Sequence, residues 1–166
     1  MAGLSRRHLL AAAGGVGLAG CGFAPRRAPE LHIHSIALEG FKPSSPLAQE
    51  LRANINSSKT TLVIDSASAA QVVLDAITDA RERVVVASTA AGQVRELQLR
   101  TRFVFKLRSQ SGRELIPPVE LLLSRDMSYS ESVALAKEQE EALLYRTMQG
   151  DIVAQVMRRL AAVQVP

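Results

Sequence analysis

Apolar residues recur at two different spacings along the chain, and the change from one to the other predicts the order of its elements. Alternation over 31–38 predicts a first strand. Ser45 followed by Pro46 is typical of a helix start, because serine can cap the first turn and proline suits its first position. Leu47, Leu51 and Ile55 then fall on one stripe of a helix that should end near 56–58.

Residues that favour strands follow this helix. Residues 61–64 are compatible with a short strand, and 71–88, 95–108 and 119–124 are predicted as longer ones. Turns are expected at 90–93 and 110–113, and Pro117-Pro118 should prevent an earlier start of the last strand. The strand over 95–108 alternates most clearly, with apolar residues at its odd positions Leu97, Leu99, Phe103, Phe105 and Leu107.

A long C-terminal helix is predicted from Ser130 onward. Its apolar positions advance by three or four residues, as an amphipathic helix requires: Tyr145, Met148, Ile152, Val156, Leu160 and Val163. Gly150 interrupts the helix and indicates a bend or a close contact there. The economical packing of these elements is an α/β (α+β) sandwich, with two helices packed on one face of a mixed four-stranded sheet.

The first twenty residues have the order of a secretory signal. Arg6 and Arg7 precede an apolar run over 9–18, which is about half as long as a membrane-spanning helix. Small residues then lead to Cys21, and Leu18-Ala19-Gly20-Cys21 looks like a bacterial lipobox. The alternative is a buried N-terminal helix with an incidental cysteine, which three glycines within 14–17 disfavour.

We therefore expect a lipoprotein signal peptide over 1–20, lipid attachment at Cys21, a lipidated tether over 21–30 and a single domain over 31–166. Acyl chains on Cys21 would anchor the protein without a membrane-spanning helix. Gly22 follows the cysteine, where an aspartate would indicate inner-membrane retention, so the outer membrane is the expected destination. Residues 5–10 partly match a twin-arginine signal, so the sequence leaves the export route open.

The net charge of the chain is smaller once the predicted signal peptide is removed. The 166-residue chain is 47% apolar, with a net charge of +4 and a single cysteine, which excludes an intrachain disulfide framework and cysteine-cluster metal sites. Removing 20 residues leaves 146, and loss of Arg6 and Arg7 lowers the charge to +2. The overall charge is therefore no sign of a nucleic-acid partner.

The sequence contains no convincing catalytic set. His32 and His34 could place two imidazoles on a metal, but no further histidine or cysteine of the mature chain supports them. The G-x-S-x-G, H-E-x-x-H and phosphate-loop motifs are absent from the sequence. The carboxylates Glu138, Glu140 and Glu141 read as a solvated helix face. We therefore expect no enzyme activity, cofactor or metal.

A row of basic residues is the more informative feature. The even positions of the strand over 95–108 place side chains on one face about 7 Å apart, and four of them are cationic: Arg100, Arg102, Lys106 and Arg108. Arginine suits phosphate because its planar fork binds it bidentately. The alternative is that this face is charged only because the helices cover the other one.

Two blocks of residues resemble the family of LPS-assembly lipoproteins called LptE. The first is Cys21-Gly22-Phe23 with Arg26 shortly after it. The second and more specific block is C-terminal: Arg125, Tyr129, Ala134-Leu135-Ala136-Lys137-Glu138, Glu140-Glu141, Met148, Asp151-Ile152, Gln155 and Arg158-Arg159-Leu160. The middle strands match in pattern more than in letters, and a long polar C-terminal tail found in some members is missing from this sequence.

The resemblance implies a non-enzymatic protein that plugs and helps assemble the β-barrel LptD and binds lipopolysaccharide (LPS) during its delivery to the outer leaflet. It would be anchored in the outer membrane by its N-terminal lipid, facing the periplasm and the barrel lumen. Lys137, within the matching C-terminal block, becomes the first candidate for an LPS contact. Arg100, Arg102, Lys106 and Arg108 are weaker candidates, since that face could meet the barrel wall instead.

Two other functions remain open from the residues alone. One is an auxiliary lipoprotein of another envelope lipid-transport machine, because a lipobox before an α/β domain is common there. The other is a periplasmic hydrolase, for which only His32 and His34 could serve as the base.

Overall fold

A computed structural model describes residues 30–164 of the chain. The predicted signal peptide, Cys21 and the tether up to residue 29 lie outside the described residues. The strands are β1 (Ser35–Glu39), β2 (Leu62–Val63), β3 (Val72–Ser88), β4 (Val94–Ser109) and β5 (Glu114–Ser128). The helices are α1 (Pro46–Ser57) and α2 (Ala134–Ala161), the latter preceded by a short 3₁₀ turn, Glu131–Val133.

The sheet is mixed and has the order β2-β1-β3-β4-β5. β1 runs parallel to both β2 and β3, whereas β3, β4 and β5 form an antiparallel meander. The predicted fold class is confirmed, but the sheet has five strands rather than four. The fifth strand is β2, only two residues long, which lies within the 61–64 stretch expected to allow a short strand; Ser35 and Ile36 of β1 pair with its Leu62 and Val63.

Helix α1 forms as its sequence predicts. The Ser45 hydroxyl accepts a hydrogen bond from the Ala48 N–H at 3.2 Å, and Pro46 occupies the first turn. Leu47, Leu51 and Ile55 are the buried stripe of this helix. They pack on the same side of the sheet as the α2 residues Ile152, Val153, Val156, Met157 and Leu160.

Both helices cover the face of the sheet that carries the odd positions of β4. Leu97, Leu99, Phe103, Phe105 and Leu107 are all buried there, as their alternation predicts. Phe103 stacks between Phe41 and Phe105, with ring centroids 5.8 and 5.4 Å apart. The even positions of β4 therefore lie on the opposite face, which we call the outer face.

The last strand departs from its prediction. β5 starts at Glu114, so Pro117 and Pro118 lie inside it rather than before it. The register shifts there, because Leu107 pairs with Ile116 while Phe105 pairs with Val119. Two prolines, which lack N–H donors, are tolerated because β5 is an edge strand and the irregularity removes them from regular pairing.

The first strand and the last helix also begin later than predicted. The chain bends at His32 and His34, and regular pairing begins only at Ser35, although Leu31 and Ile33 are already buried. Ser130 begins the 3₁₀ turn, and α2 itself starts at Ala134. Both differences lie at element ends, which the periodicity of side chains determines least well.

Candidate functional site

The predicted basic row lies on the outer face of β4. Neither helix covers this face, and a small apolar cluster at its β1 end, Ala37, Ala70 and Val73, packs under the loop before β3. The row runs from Arg100 to Arg108, eight residues, which is about 27 Å of strand. It is thus a line along the strand rather than a compact site.

Carboxylates on neighbouring strands neutralise most of this row. Arg102 Nε lies 2.7 Å from Glu120 of β5. At the other end, Arg108 contacts both Asp75 of β3 and Glu39 of β1, at 2.9 and 2.8 Å. Lys106 approaches the same Asp75 at 3.8 Å. The row is therefore a cross-strand ion-pair network that ties together β1, β3, β4 and β5.

The ion pairs also affect the ionisation of the two arginines. The hydrogen bond and charge of Glu120 raise the pKa of the Arg102 guanidinium above its usual value. The hydrogen bond to Asp75 likewise raises the pKa of the Arg108 guanidinium, and this effect outweighs desolvation, which lowers it. Both side chains therefore remain cationic at every physiological pH.

Arg100 differs from the rest of the row. Its Nε donates to Gln98 Oε1 at 2.7 Å, and within residues 30–164 it forms no ion pair with a carboxylate. Its neighbours across the ladder are Glu82 on β3 and Ser124 on β5. Arg100 is thus the member of the row whose charge is most available to an external anion.

Lys137 lies at a different place, in the first turn of α2. Its Nζ donates to Glu140 at 2.8 Å and to the Ser128 hydroxyl at 3.0 Å, and only 18% of its side chain is exposed. Ser128 pairs with Glu96, four residues before Arg100, which corresponds to about 13 Å along β4. The structure therefore does not bring Lys137 and the whole row into one site.

The remaining candidates show no catalytic arrangement. His32 and His34 are exposed side chains that precede β1. Glu140 pairs with Lys137, and Glu141 pairs with Arg83 at 3.3 Å. Within the described part of the chain, no three His, Cys, Asp or Glu side chains come together as metal ligands. Over the same residues, no helix is long and apolar enough to cross a membrane.

The sequence reasoning missed a polar cluster between β3 and the helices. Gln149 of α2 accepts a hydrogen bond from Arg81 and donates one to Glu50 of α1. The Tyr145 hydroxyl donates to the Glu82 carbonyl at 2.7 Å, and the Arg81 guanidinium lies 5.3 Å from the centre of the Tyr145 ring. The sequence did contain a sign of this cluster. Asp79, Arg81 and Arg83 are polar at the positions of β3 that face the helices, where the alternation would otherwise place apolar residues.

Solved structures share this fold. An uncharacterized lipoprotein B from Nitrosomonas europaea has a TM-score of 0.69 at 27% identity, and the match covers 85% of this chain and 91% of that one. Rare lipoprotein B from Shewanella oneidensis has a TM-score of 0.59 at 24% identity, and the match covers 76% of this chain and 90% of that one. A minor lipoprotein from Acinetobacter baumannii has a TM-score of 0.63 at 19% identity, and the match covers 83% of this chain and 100% of that one. The last two matches bear on the fold alone.

Sequence comparison identifies the family. No curated protein matches the chain significantly. A family profile described as "LptE: Lipopolysaccharide-assembly" matches residues 33–160, which include every described strand, α1, all but the last residue of α2 and all the basic candidates discussed above. The chain therefore belongs to the LptE family of lipopolysaccharide-assembly lipoproteins.

Proposed function

We propose that this protein is an outer-membrane lipoprotein that plugs and helps assemble an LptD-type β-barrel, and that it binds LPS during delivery to the outer leaflet. The observation that carries the proposal is the family match over residues 33–160. The family is one of non-enzymatic lipoproteins, and its members partner LptD and interact with LPS. The role requires no reaction, only surfaces for a protein and a glycolipid.

The outer face supports a place inside a barrel. The interior of an outer-membrane barrel is polar. A protein surface that meets it must not bury unpaired charges, because an uncompensated buried charge is costly. On the outer face Arg102 pairs with Glu120, and Arg108 pairs with Asp75 and Glu39. Apart from Arg100, the basic row of this face can therefore lie against a polar wall with its charges already compensated.

Two cations remain the best candidates for contact with LPS phosphates. Lys137 can exchange Glu140 for a phosphate, because a single ion pair between residues three apart on a helix contributes little stability, and its Glu140 side is 45% exposed. Arg100 can bind a phosphate without losing a carboxylate partner. Arg102, Lys106 and Arg108 would each have to give up an ion pair that holds two strands together. We therefore place Lys137 first and Arg100 second.

The N-terminus supplies the anchor in this proposal. Acylation of Cys21 would hold the protein in the inner leaflet of the outer membrane. Metabolic labelling with tritiated palmitate tests this: the full chain should incorporate label, and Cys21→Ala should not. Label retained by the variant would contradict attachment at Cys21.

Co-purification tests the main function. The tagged full-length protein is extracted in mild detergent from its native host, and its partners are identified by mass spectrometry. We expect one large outer-membrane β-barrel protein in equimolar amount. As a control, residues 1–30 fused to an unrelated periplasmic domain should reach the membrane but recover no barrel. Recovery of the full-length protein without a barrel would refute the proposal.

A further inference from the structure

Strand β3 has two neighbours over only part of its length. From Val72 to Asp75 it pairs with β1 on one side and β4 on the other. β1 ends at Glu39, where Gly40 adopts a φ of 79° and turns the chain away towards α1. From Ala76 to Ser88, β3 pairs with β4 alone among the described strands. We call this stretch, residues 76–88, the open edge.

The hydrogen-bond alternation shows which backbone groups face the open edge. Around β4, the Gln110 N–H donates to the Gln71 carbonyl, whereas the Tyr129 N–H donates to the Arg95 carbonyl. Even positions of β4 therefore bond towards β3, and odd positions towards β5. Because Ala80 pairs with Arg102 and Glu82 with Arg100, these even residues of β3 bond towards β4, and the odd residues next to them direct their N–H and C=O groups away from β4, towards the open edge. These are 79, 81 and 83.

A groove runs along this open edge. One cleft of about 310 Å³ lies between β3 and α2 and is lined by Arg81, Arg83, Glu138, Glu141, Ala142 and Tyr145. A second cleft of about 310 Å³ continues it towards α1 and is lined by Lys42, Ser44, Ser45, Pro46, Asp79 and Arg81. Arg81 belongs to both. A free strand edge beside a helix is an arrangement in which proteins bind an extended segment as an added strand.

The two walls of the groove differ in charge: Glu138 and Glu141 line the helix wall, whereas Arg81 and Arg83 lie on the strand wall, where Asp79 already accepts a hydrogen bond from the Ser45 hydroxyl. The strand wall, along which an added strand would pair, therefore favours acidic side chains. Arg81 donates to Gln149 and lies over the Tyr145 ring, but within residues 30–164 it has no carboxylate at ion-pair distance. The Arg83 side chain is 57% exposed, and its one ion pair, with Glu141, is long at 3.3 Å. Arg81 and Arg83 are two residues apart on one face of β3, so they match side chains at alternate positions of a paired strand.

The other edges of the sheet are less suited to this role. β2 is only two residues long. β5 contains Pro117 and Pro118, which lack N–H donors, and the Arg125 side chain already bonds the Ser124 carbonyl at 2.9 Å. The outer face beside β5 also carries the acidic residues Glu120 and Asp126.

We propose that the groove along the open edge of β3 binds an extended, acidic segment of the protein partner, which adds to the sheet as a further strand. The backbone of residues 79, 81 and 83 would supply the hydrogen bonds, and Arg81 and Arg83 would select carboxylates at alternate positions. The identity of the partner rests on the proposed function: it is the barrel protein with which the chain assembles.

Photo-crosslinking in the assembled complex tests this. A benzophenone amino acid is placed at position 85 on the open edge of β3, where Val85 is 52% exposed, or at 142 on the helix wall of the groove, in the full-length protein co-expressed with its own barrel. Leu122, 57% exposed on β5, is the control position. Positions 85 and 142 should both crosslink to the same short acidic segment of the barrel protein, and position 122 should crosslink elsewhere or not at all.

Charge variants test the recognition of acidic residues. Arg83→Glu should lower the crosslinking yield from position 142 by about fivefold, the factor that one exposed ion pair is worth, and Arg83→Lys should leave it nearly unchanged. Arg125→Glu is the matched control, because Arg125 is a similarly exposed arginine beside the other edge. It should not change the yield from position 142.

The outcomes separate this inference from the proposed function. If the barrel co-purifies but positions 85 and 142 crosslink to different regions, to lipid or to nothing, the groove assignment is wrong and the proposed function stands. Equal loss of yield in Arg83→Glu and Arg125→Glu would likewise overturn the recognition of acidic residues. If no barrel co-purifies, the proposed function fails and the groove assignment fails with it.

Discussion

Gly40 packs against the carbonyl oxygen of Ala76, and a Cβ atom added to Gly40 would overlap that oxygen. Gly40 also has a φ of 79°, in the left-handed region that other residues rarely adopt. One glycine therefore both ends β1 and lets the departing chain cross closely over β3. The open edge of β3 begins at this crossing.

Replacing Gly40 should be much more costly than replacing a glycine with the same backbone angle in open space. Gly92 also has a φ of 79°, but nothing lies within 4 Å of an added Cβ. We expect Gly92→Ala to lower the free energy of unfolding by about 1 kcal/mol from backbone strain alone. Gly40→Ala should lose roughly 2 kcal/mol more, since the overlap with Ala76 adds to the strain. Urea denaturation measures both, and equal losses would contradict the close approach.

Gly150 in α2 should be replaceable with a gain in stability. An added Cβ would lie 3.7 Å from Glu50 Oε1, which is ordinary van der Waals contact. Gly150→Ala should therefore raise the free energy of unfolding by about 1 kcal/mol, the difference in helix propensity between the two residues. Ala154→Gly, one turn later in the same helix, is the reciprocal control and should lower it by a similar amount. A loss of stability in Gly150→Ala would contradict the room for a Cβ atom beside Glu50.

Tyr145 should make stability depend on pH in the alkaline range. Burial raises the pKa of its phenol above the ordinary 10.0, with a further rise from Glu141 and a partial opposing effect of Arg81. The native state therefore favours the neutral phenol. The contribution of this preference to the free energy of unfolding is complete below pH 10 and is lost as pH rises through the raised pKa. In Tyr145→Phe, the decline in stability above pH 10 should be shallower.

The same variant should also be less stable at neutral pH. The Tyr145 hydroxyl donates to the Glu82 carbonyl at 2.7 Å, and its removal should cost about 1 kcal/mol. Tyr129→Phe is the control, because Tyr129 is the other tyrosine of the chain. Identical alkaline unfolding curves for the wild type and Tyr145→Phe would contradict the effect of burial on the phenol.

Lys137 should contribute to LPS binding but not to assembly with the barrel. We expect Lys137→Glu to weaken LPS binding by the purified complex by about tenfold, since a charge-assisted contact with phosphate is replaced by repulsion. Barrel co-purification should persist. Binding is measured with fluorescently labelled LPS at fixed ionic strength.

A neighbouring variant controls for general damage to the helix start. Glu140→Gln keeps the Lys137 charge but removes its ion-pair partner, which lies 2.8 Å away. It should bind LPS as well as the wild type or slightly better, because the ammonium no longer has to exchange a carboxylate for a phosphate. Equal weakening in both variants, or unchanged affinity in Lys137→Glu, would exclude the proposed contact.

The local pattern of the sequence was sufficient for most of the elements. Ser45 and Pro46 begin α1 as expected, and the alternation of β4 correctly separates buried from outer positions. These features depend on residues only a few positions apart in the sequence, so they can be predicted without the tertiary structure. The prolines of β5 were misread because a proline excludes regular pairing only on a central strand, and the edge position of β5 is a property of the whole sheet.

The candidate residues divide in the same way. The sequence alone determined that Arg100, Arg102, Lys106 and Arg108 share one face of a strand, because side chains alternate along it. Only the tertiary structure decided that Glu120, Asp75 and Glu39 neutralise three of them, since strand register joins residues 18 to 69 positions apart. It also decided that β1 stops short of β3's full length. Long-range pairing, and not local preference, therefore determines which cations lack a carboxylate partner and which strand edge is unpaired among residues 30–164.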